Sequence, residues 1–265
     1  MKKKWKKIFS LFLALALCAS LMPEMALASD EGIVLASEDE GGNTSGMALT
    51  AEGGTLAEGS YYLAEDITLE TDITIASGTT VTIDLNGYTL TGTGTSSVLT
   101  VNGTLILDDS SESGSGTVTG GSATYGGGVY AAGTFNLNGG CITGNTASYG
   151  GGVYADGMFN QDGGSITGNT ASASGGGVYV RISTYFYMND GTISGNSASN
   201  NGGGVYASGT FNQGGGSITG NTAAYGGGMY AAGTFNQDNG SITGNTATTS
   251  GGGVYPDFYN FTSKK

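Results

Sequence analysis

Few residues of this chain are suited to acid–base or metal chemistry, and that scarcity is the first constraint on function. Histidine is absent, which removes the side chain that most often moves protons and binds metals near neutral pH. Among the repeats in the second half of the chain, Arg181 is the one basic side chain, and acids such as Asp156, Asp162, Asp190 and Asp238 are scattered. A denser acidic run, "DDSSES", begins at Asp108 and Asp109. Glycoside hydrolysis needs two or three clustered carboxylates, and sugar elimination needs an Arg or Lys base beside carboxylates and calcium. No catalytic set is assigned, and Arg181, Asp162 and Asp190 come nearest to one. Calcium takes six to eight oxygens. Asp162 with Asp190, or Asp108 with Asp109, could contribute some of them; otherwise these acids are solvated turn formers. Arg181 could equally face Asp156 as a surface ion pair. No other cofactor is expected.

These residues are placed by a repeat. "GGGVY" or "GGGMY" starts at Gly126, Gly150, Gly175, Gly202, Gly226 and Gly251, at spacings of 24, 25, 27, 24 and 25 residues. A Phe follows in each complete unit (Phe135, Phe159, Phe186, Phe211, Phe235). Ten residues after each Phe stands an Asn: Asn145, Asn169, Asn196, Asn221 and Asn245. Length varies only before the Phe of the third unit and just after the Asn. Insertions are tolerated in loops, so both places read as loops. Each unit reads as strand–turn–strand, with Val, Ala and Phe alternating along the first strand and a lone Ile in the second. One unit cannot bury a core, but stacked units can lay Val on Val, Phe on Phe and Ile on Ile.

The fold class is therefore all-β: a single parallel β-helix (β-solenoid) of 24–25 residues per coil, with coils about 4.8 Å apart. Stacking brings each Asn onto its equivalents, and an inward amide column can hydrogen-bond along the axis. The Asn column is thus a structural ladder. Tyr130, Tyr154, Tyr179, Tyr206 and Tyr230 follow Val or Met in each unit and should form an outward aromatic column. That column is either simple cross-coil stacking or a carbohydrate-binding face. An outward Thr ladder runs through Thr143, Thr167, Ser194, Thr219 and Thr243, and Cys141 fills a Ser/Thr slot.

The remaining chain divides by composition. Residues 1–28 carry a basic start, "MKKKWKK", an apolar run and a small-residue cleavage site, "ALA", as a signal peptide does. Residues 29–46 are acidic and turn-rich, and read as a disordered leader. Residues 47–125 hold β-rich runs with a looser repeat, and 126–265 hold the regular units, the last partial from 251. Cleavage after Ala28 leaves Arg181, Lys264 and Lys265 against 20 acids, a net charge near −17. That charge argues against nucleic acid or an anionic membrane surface as partner, and no membrane span is expected after cleavage. Cys141 is then the only cysteine, so no intramolecular disulfide forms. Collagen is excluded by 2 prolines and by glycine, at 52 of 265 residues, lacking a three-residue period.

"ITGNTA…GGGVY" resembles the paired motifs of chlamydial polymorphic membrane proteins, and the wider class of exported bacterial right-handed parallel β-helix proteins within the pectin-lyase-like fold group. The resemblance covers roughly residues 60–265. Ile142, Ile166, Ile193, Ile218 and Ile242 stand where the chlamydial motif has Phe, and a third Gly replaces its Ala. The resemblance implies right-handed winding and a secreted or cell-surface location. By analogy it implies an adhesin-like, non-catalytic scaffold meeting host or environmental glycans or surface proteins. The alternative is a polysaccharide-binding or polysaccharide-degrading lyase or hydrolase. Self-association through an uncapped final coil is a further expectation.

Overall fold

The computed structural model describes residues 46–257 and 262–264. The segment read as a signal peptide and all of the acidic leader except Gly46 lie outside the described residues. The described chain forms 33 short strands and no helix. These assemble into four parallel sheets of 10, 9, 8 and 6 strands. The result is a single parallel β-helix of about eight turns.

A regular coil carries four strands rather than the two read from its pattern. One unit runs Val129–Ala131, Thr134–Leu137, Cys141–Thr143 and Thr146–Tyr149, and each strand joins a different sheet. The continuous alternation Val129, Ala131, Phe135 hides a corner at Ala132-Gly133, where both N–H groups donate to Val101 O (2.9 and 2.8 Å). A two-residue corner preserves the inward–outward parity, so the pattern runs through the bend unbroken. The fourth strand has only Ala147 as its buried apolar residue, too weak a signal to read as a strand. The extra residue after some Asn positions is not a loop insertion. It enters this strand as a register shift, at Ala147/Tyr149 against Ala171/Ser174 and again at Ala223/Tyr225 against Ala247/Ser250.

The core is a set of columns. Val81, Leu105, Phe135, Phe159, Phe186, Phe211 and Phe235 succeed one another in register. The Phe rings from 135 to 235 stack at 4.5–5.4 Å. Leu90, Val118, Ile142, Ile166, Ile193 and Ile218 form a second buried column. A third runs Ile75, Val101, Ala131, Ala155, Val180, Ala207 and Ala231. It narrows from Ile and Val to Ala in most of the layers where Phe replaces Val and Leu, which limits crowding in a close-packed core; Val180, in the layer of Phe186, is the exception.

The Asn column is a continuous buried ladder. The Oδ1 of Asn169 accepts both the backbone N–H and the Nδ2 of Asn145 (3.0 and 3.1 Å). Asn196, Asn221 and Asn245 repeat the same pair of bonds with the coil before each of them. Each Nδ2 also donates to a carbonyl of the Val–Ile column: Val118, Ile142, Ile166, Ile193 and Ile218 for Asn145 through Asn245 (2.9–3.1 Å). At its N-terminal end the ladder closes on Gly121 N–H (2.9 Å).

The ladder and the next coil's backbone together explain the third glycine of the "GGG" triplets from Gly126 to Gly226. A Cβ on Gly152 would lie 2.7 Å from Ile166 Cγ2 and 3.0 Å from Asn169 Nδ2. The first glycine has its own reason: Gly150 has φ +66, where a side chain is strained.

Gln161 is an exception in the core. It is fully buried, and its Oε1 and Nε2 have no hydrogen-bond partner. Its register neighbours are Leu137 and Met188, which cannot answer an amide. Gln213, two coils on, is better placed, because Gln237 Nε2 donates to its Oε1 (3.1 Å).

Two stability changes follow. Asn196→Ala should destabilise by about 2–5 kcal/mol, since it strands buried donors of Asn169 that each cost about 1–3 kcal/mol. Asn245→Ala should cost less, because Asn245 is only half-buried. Denaturant unfolding of the three proteins checks that order. Gln161→Met should stabilise by about 1–3 kcal/mol by removing an unpartnered buried amide, read as a higher unfolding midpoint at unchanged m-value.

Candidate functional site

The most ordered outward feature is aromatic. On the Val–Tyr–Ala strands Val and Ala point inward, so the intervening Tyr points out. Tyr130, Tyr154, Tyr179, Tyr206, Tyr230 and Tyr255 stack in sequence with centroids 4.6–5.7 Å apart and planes within 22°. Toward the N-terminus the same column continues as Thr100 and Thr74.

A second set of tyrosines walls this column. Tyr125, Tyr149 and Tyr225 precede the glycine triplets and lean across the next coil's column. Tyr125 meets Tyr154 at 4.9 Å, Tyr149 meets Tyr179 at 5.5 Å, and Tyr225 meets Tyr255 at 5.3 Å, all tilted or edge-on. The recurring "YGGG" was the available signal, but lateral contact between sheets depends on how sharply the coil turns. On the opposite flank Tyr130 OH donates to Asp156 Oδ2 (3.2 Å) and Tyr230 OH to Asp257 Oδ2 (3.4 Å).

This arrangement bears on sugar binding. Saccharides rest on aromatic faces, yet each column ring presents its faces to the rings above and below. Ring edges and hydroxyls are what the stack turns outward. Burial is the main reason the Tyr154 hydroxyl pKa is pushed up to about 12, with Tyr179 and Asp156 adding to it. Tyr206 also rises to about 12, again mainly by burial and then by Tyr179 and Tyr230. Tyr130, Tyr179 and Tyr230 move in the same direction, with burial the largest cause in each.

The charged candidates are already engaged. Register holds through Ala155 and Val180, so Arg181 Nη1 forms its ion pair with Asp156 Oδ1. The two extra residues fall after it, in a turn closed by Thr184 Oγ1 donating to Arg181 O (2.7 Å) and Ala155 O (3.2 Å). Asp162 Oδ1 accepts from Asn189 Nδ2 (2.7 Å), whereas Asp190 Oδ1 accepts from Gly191 N–H (2.7 Å). The two acids thus turn to different donors. Asp109 holds its loop together, accepting N–H groups of Gly87 (2.8 Å), Gly116 (2.6 Å) and Ser111 (3.2 Å). Burial pushes its pKa up, but the bonds from Ser111, Gly116 and Gly87 together outweigh that and leave it below the ordinary value. Asp108 Oδ1 accepts from Asp109 N–H (2.9 Å). Among the described residues no group of three or more His, Cys, Asp and Glu is placed to hold a metal ion. Burial also pushes the Cys141 thiol pKa up, which keeps it protonated and unreactive.

Compared with known proteins, the chain matches no family model, no curated protein and no solved structure.

The tyrosine stack should make the fold alkali-sensitive. A hydroxyl whose folded pKa lies above the ordinary value of 10.0 contributes stability that is intact below pH 10 and lost as pH rises through about 12. The melting temperature should therefore fall between pH 10 and 12 as phenolate absorbance rises. Tyr154→Phe with Tyr206→Phe should flatten that fall.

Proposed function

We propose that the chain is an exported, surface-associated β-helix scaffold, adhesin-like in that it acts by presenting its faces rather than by catalysis. One observation carries this reading: every charged candidate is committed to holding the solenoid. Arg181 pairs with Asp156, Asp162 takes Asn189, Asp190 caps Gly191, and Asp109 gathers three backbone N–H groups. A catalytic base or acid must instead reach substrate.

The likeness of "ITGNTA…GGGVY" to the repeats of chlamydial polymorphic membrane proteins, and to pectin-lyase-like β-helices generally, supports the same reading. The third Gly has a reason in this chain: a Cβ on Gly204 would lie 2.6 Å from Gly228 O and 2.9 Å from Ile218 Cγ2 and Asn221 Nδ2. The basic–apolar start of residues 1–28 supports export.

The full chain, expressed in an exporting bacterial host, should be recovered outside the cytoplasm with Ser29 as its first residue. Incubated with plant and animal polysaccharides, with and without calcium, it should release neither unsaturated nor reducing sugar ends. Turnover that disappears in Arg181→Ala would overturn the scaffold reading.

A further inference from the structure

We propose that the third regular coil carries a binding site for a neutral saccharide, with Tyr185 and Tyr187 as its platform. This goes beyond the scaffold reading and holds or fails independently of export.

The site is a break in an otherwise polar face. Outward from the Phe strands run two columns in register. The first is Thr104, Thr134, Met158, Tyr185, Thr210 and Thr234; the second is Ile106, Asn136, Asn160, Tyr187, Asn212 and Asn236. In the second column the amides pair along the axis. Asn160 Nδ2 donates to Asn136 Oδ1 (2.8 Å), and Asn236 Nδ2 donates to Asn212 Oδ1 (2.7 Å). Tyr187 stands where the amide joining these two pairs belongs. Asn160 Oδ1 and Asn212 Nδ2, which that amide would engage, have no hydrogen bond among the described residues. An unused acceptor and an unused donor therefore flank the ring on either side.

The tyrosines here differ from those of the stacked column. Their register neighbours are Met158 and Thr210 for Tyr185, and Asn160 and Asn212 for Tyr187, so the rings stack on each other rather than on an aromatic column. The two rings lie nearly parallel, 9° apart with centroids at 6.2 Å. Tyr185 is 47% exposed and Met158 41%. The two-residue insertion adds a turn whose Ile182 is 66% exposed and whose Ser183 has φ +65, a conformation disfavoured for a residue other than glycine. Thr184 clasps that turn from inside.

Parallel aromatic faces beside an amide donor and an amide acceptor suit the C–H face and hydroxyls of a pyranose. Charge selects among sugars. Asp162 and Asp190 follow the strands Met158–Gln161 and Tyr185–Met188 that carry the patch, and Arg181, the basic residue of this coil, is paired with Asp156. An anionic uronate would meet uncompensated negative charge, so the ligand class is neutral.

The test is calorimetric titration of the full chain with cello-, xylo-, manno- and galacto-hexaose, beside oligogalacturonate. At least one neutral hexaose should bind saturably, and oligogalacturonate should not. The variant carrying Tyr185→Thr and Tyr187→Asn restores the repeat at both positions, so it should fold with an equal or higher melting temperature. It should bind roughly tenfold or more weakly. The proposal is overturned by no saturable binding of any neutral hexaose up to about 10 mM. Undiminished binding in the folded double variant, or preference for oligogalacturonate, would also sink it. So would a change of oligomeric state in the variant without sugar binding by the parent, which would assign the patch to contact between copies.

Discussion

Every layer of this molecule must tolerate a near-copy of itself about 4.8 Å away. That translation is the constraint on which the rest depends, because a buried polar group has to find its partner in its own equivalent. A primary amide can do so, having an acceptor at one atom and donors at the next. In the Asn145–Asn245 column the Oδ1 atoms of Asn169, Asn196, Asn221 and Asn245 each take two bonds from the Asn of the coil before, and the Nδ2 atoms of Asn145, Asn169, Asn196 and Asn221 each give one bond to the ladder and at least one to a backbone carbonyl. A carboxylate cannot partner itself in this way. Continuing the Leu107–Leu137–Gln161–Met188–Gln213–Gln237 register by one residue gives Asp108, Asn138, Asp162, Asn189, Gly214 and Asp238. Acids there alternate with neutral residues. The direct acid pair, Asp84 with Asp108, has Ser110 Oγ donating to Asp84 (2.6 Å) and Asp109 N–H donating to Asp108.

The same translation shapes the apolar interior. Rings that repeat must stack, so the Phe column lies parallel at 4.5–5.4 Å and draws its neighbours into compensation. Ala131, Ala155 and Ala207 stand where the less regular coils carry Ile75 and Val101. Glycine is set by the ladder too: its backbone passes so close to Ile and Asn that a single added carbon has no room. The scarcity of charge in the columns and the third glycine of the inner triplets thus follow from the same translation.

That cause also decides what the sequence made legible. The fixed offset of ten residues from Phe to Asn is a direct readout of register, so the parallel stack and the Asn column are legible in the sequence, whereas the Arg181–Asp156 pairing, beside the two-residue insertion, depends on the register that Ala155 and Val180 keep. The corners are not legible, since a two-residue bend at Ala132-Gly133 leaves the alternation intact. Nor is the fourth strand, whose "TASY" has almost nothing apolar to bury. Gln161 adjoins the turn-forming "DGG", which masks it as a core residue, although Leu137 and Met188 at the same offset mark the position as core. The outward tyrosines were identifiable by position. Whether their faces or their edges meet solvent was not, because that depends on ring tilt relative to the coil rise.

A ladder also limits where recognition can arise. Any group in a regular column is matched above and below, so its polar atoms are satisfied and its ring faces covered by its own equivalents. The largely half-buried Tyr130–Tyr255 stack is, in this respect, as self-occupied as the buried Asn column. Unused hydrogen-bonding atoms and uncovered faces appear only where one layer departs from its neighbours. In the described coils that departure is concentrated in the third regular unit, where Tyr187 interrupts an amide row, Tyr185 beside Met158 of the coil before it interrupts a Thr row, and an inserted turn raises Ile182. A column that partners itself is rigid for the same reason that it is closed to other molecules, and the layer that breaks the columns is where the proposed specificity lies.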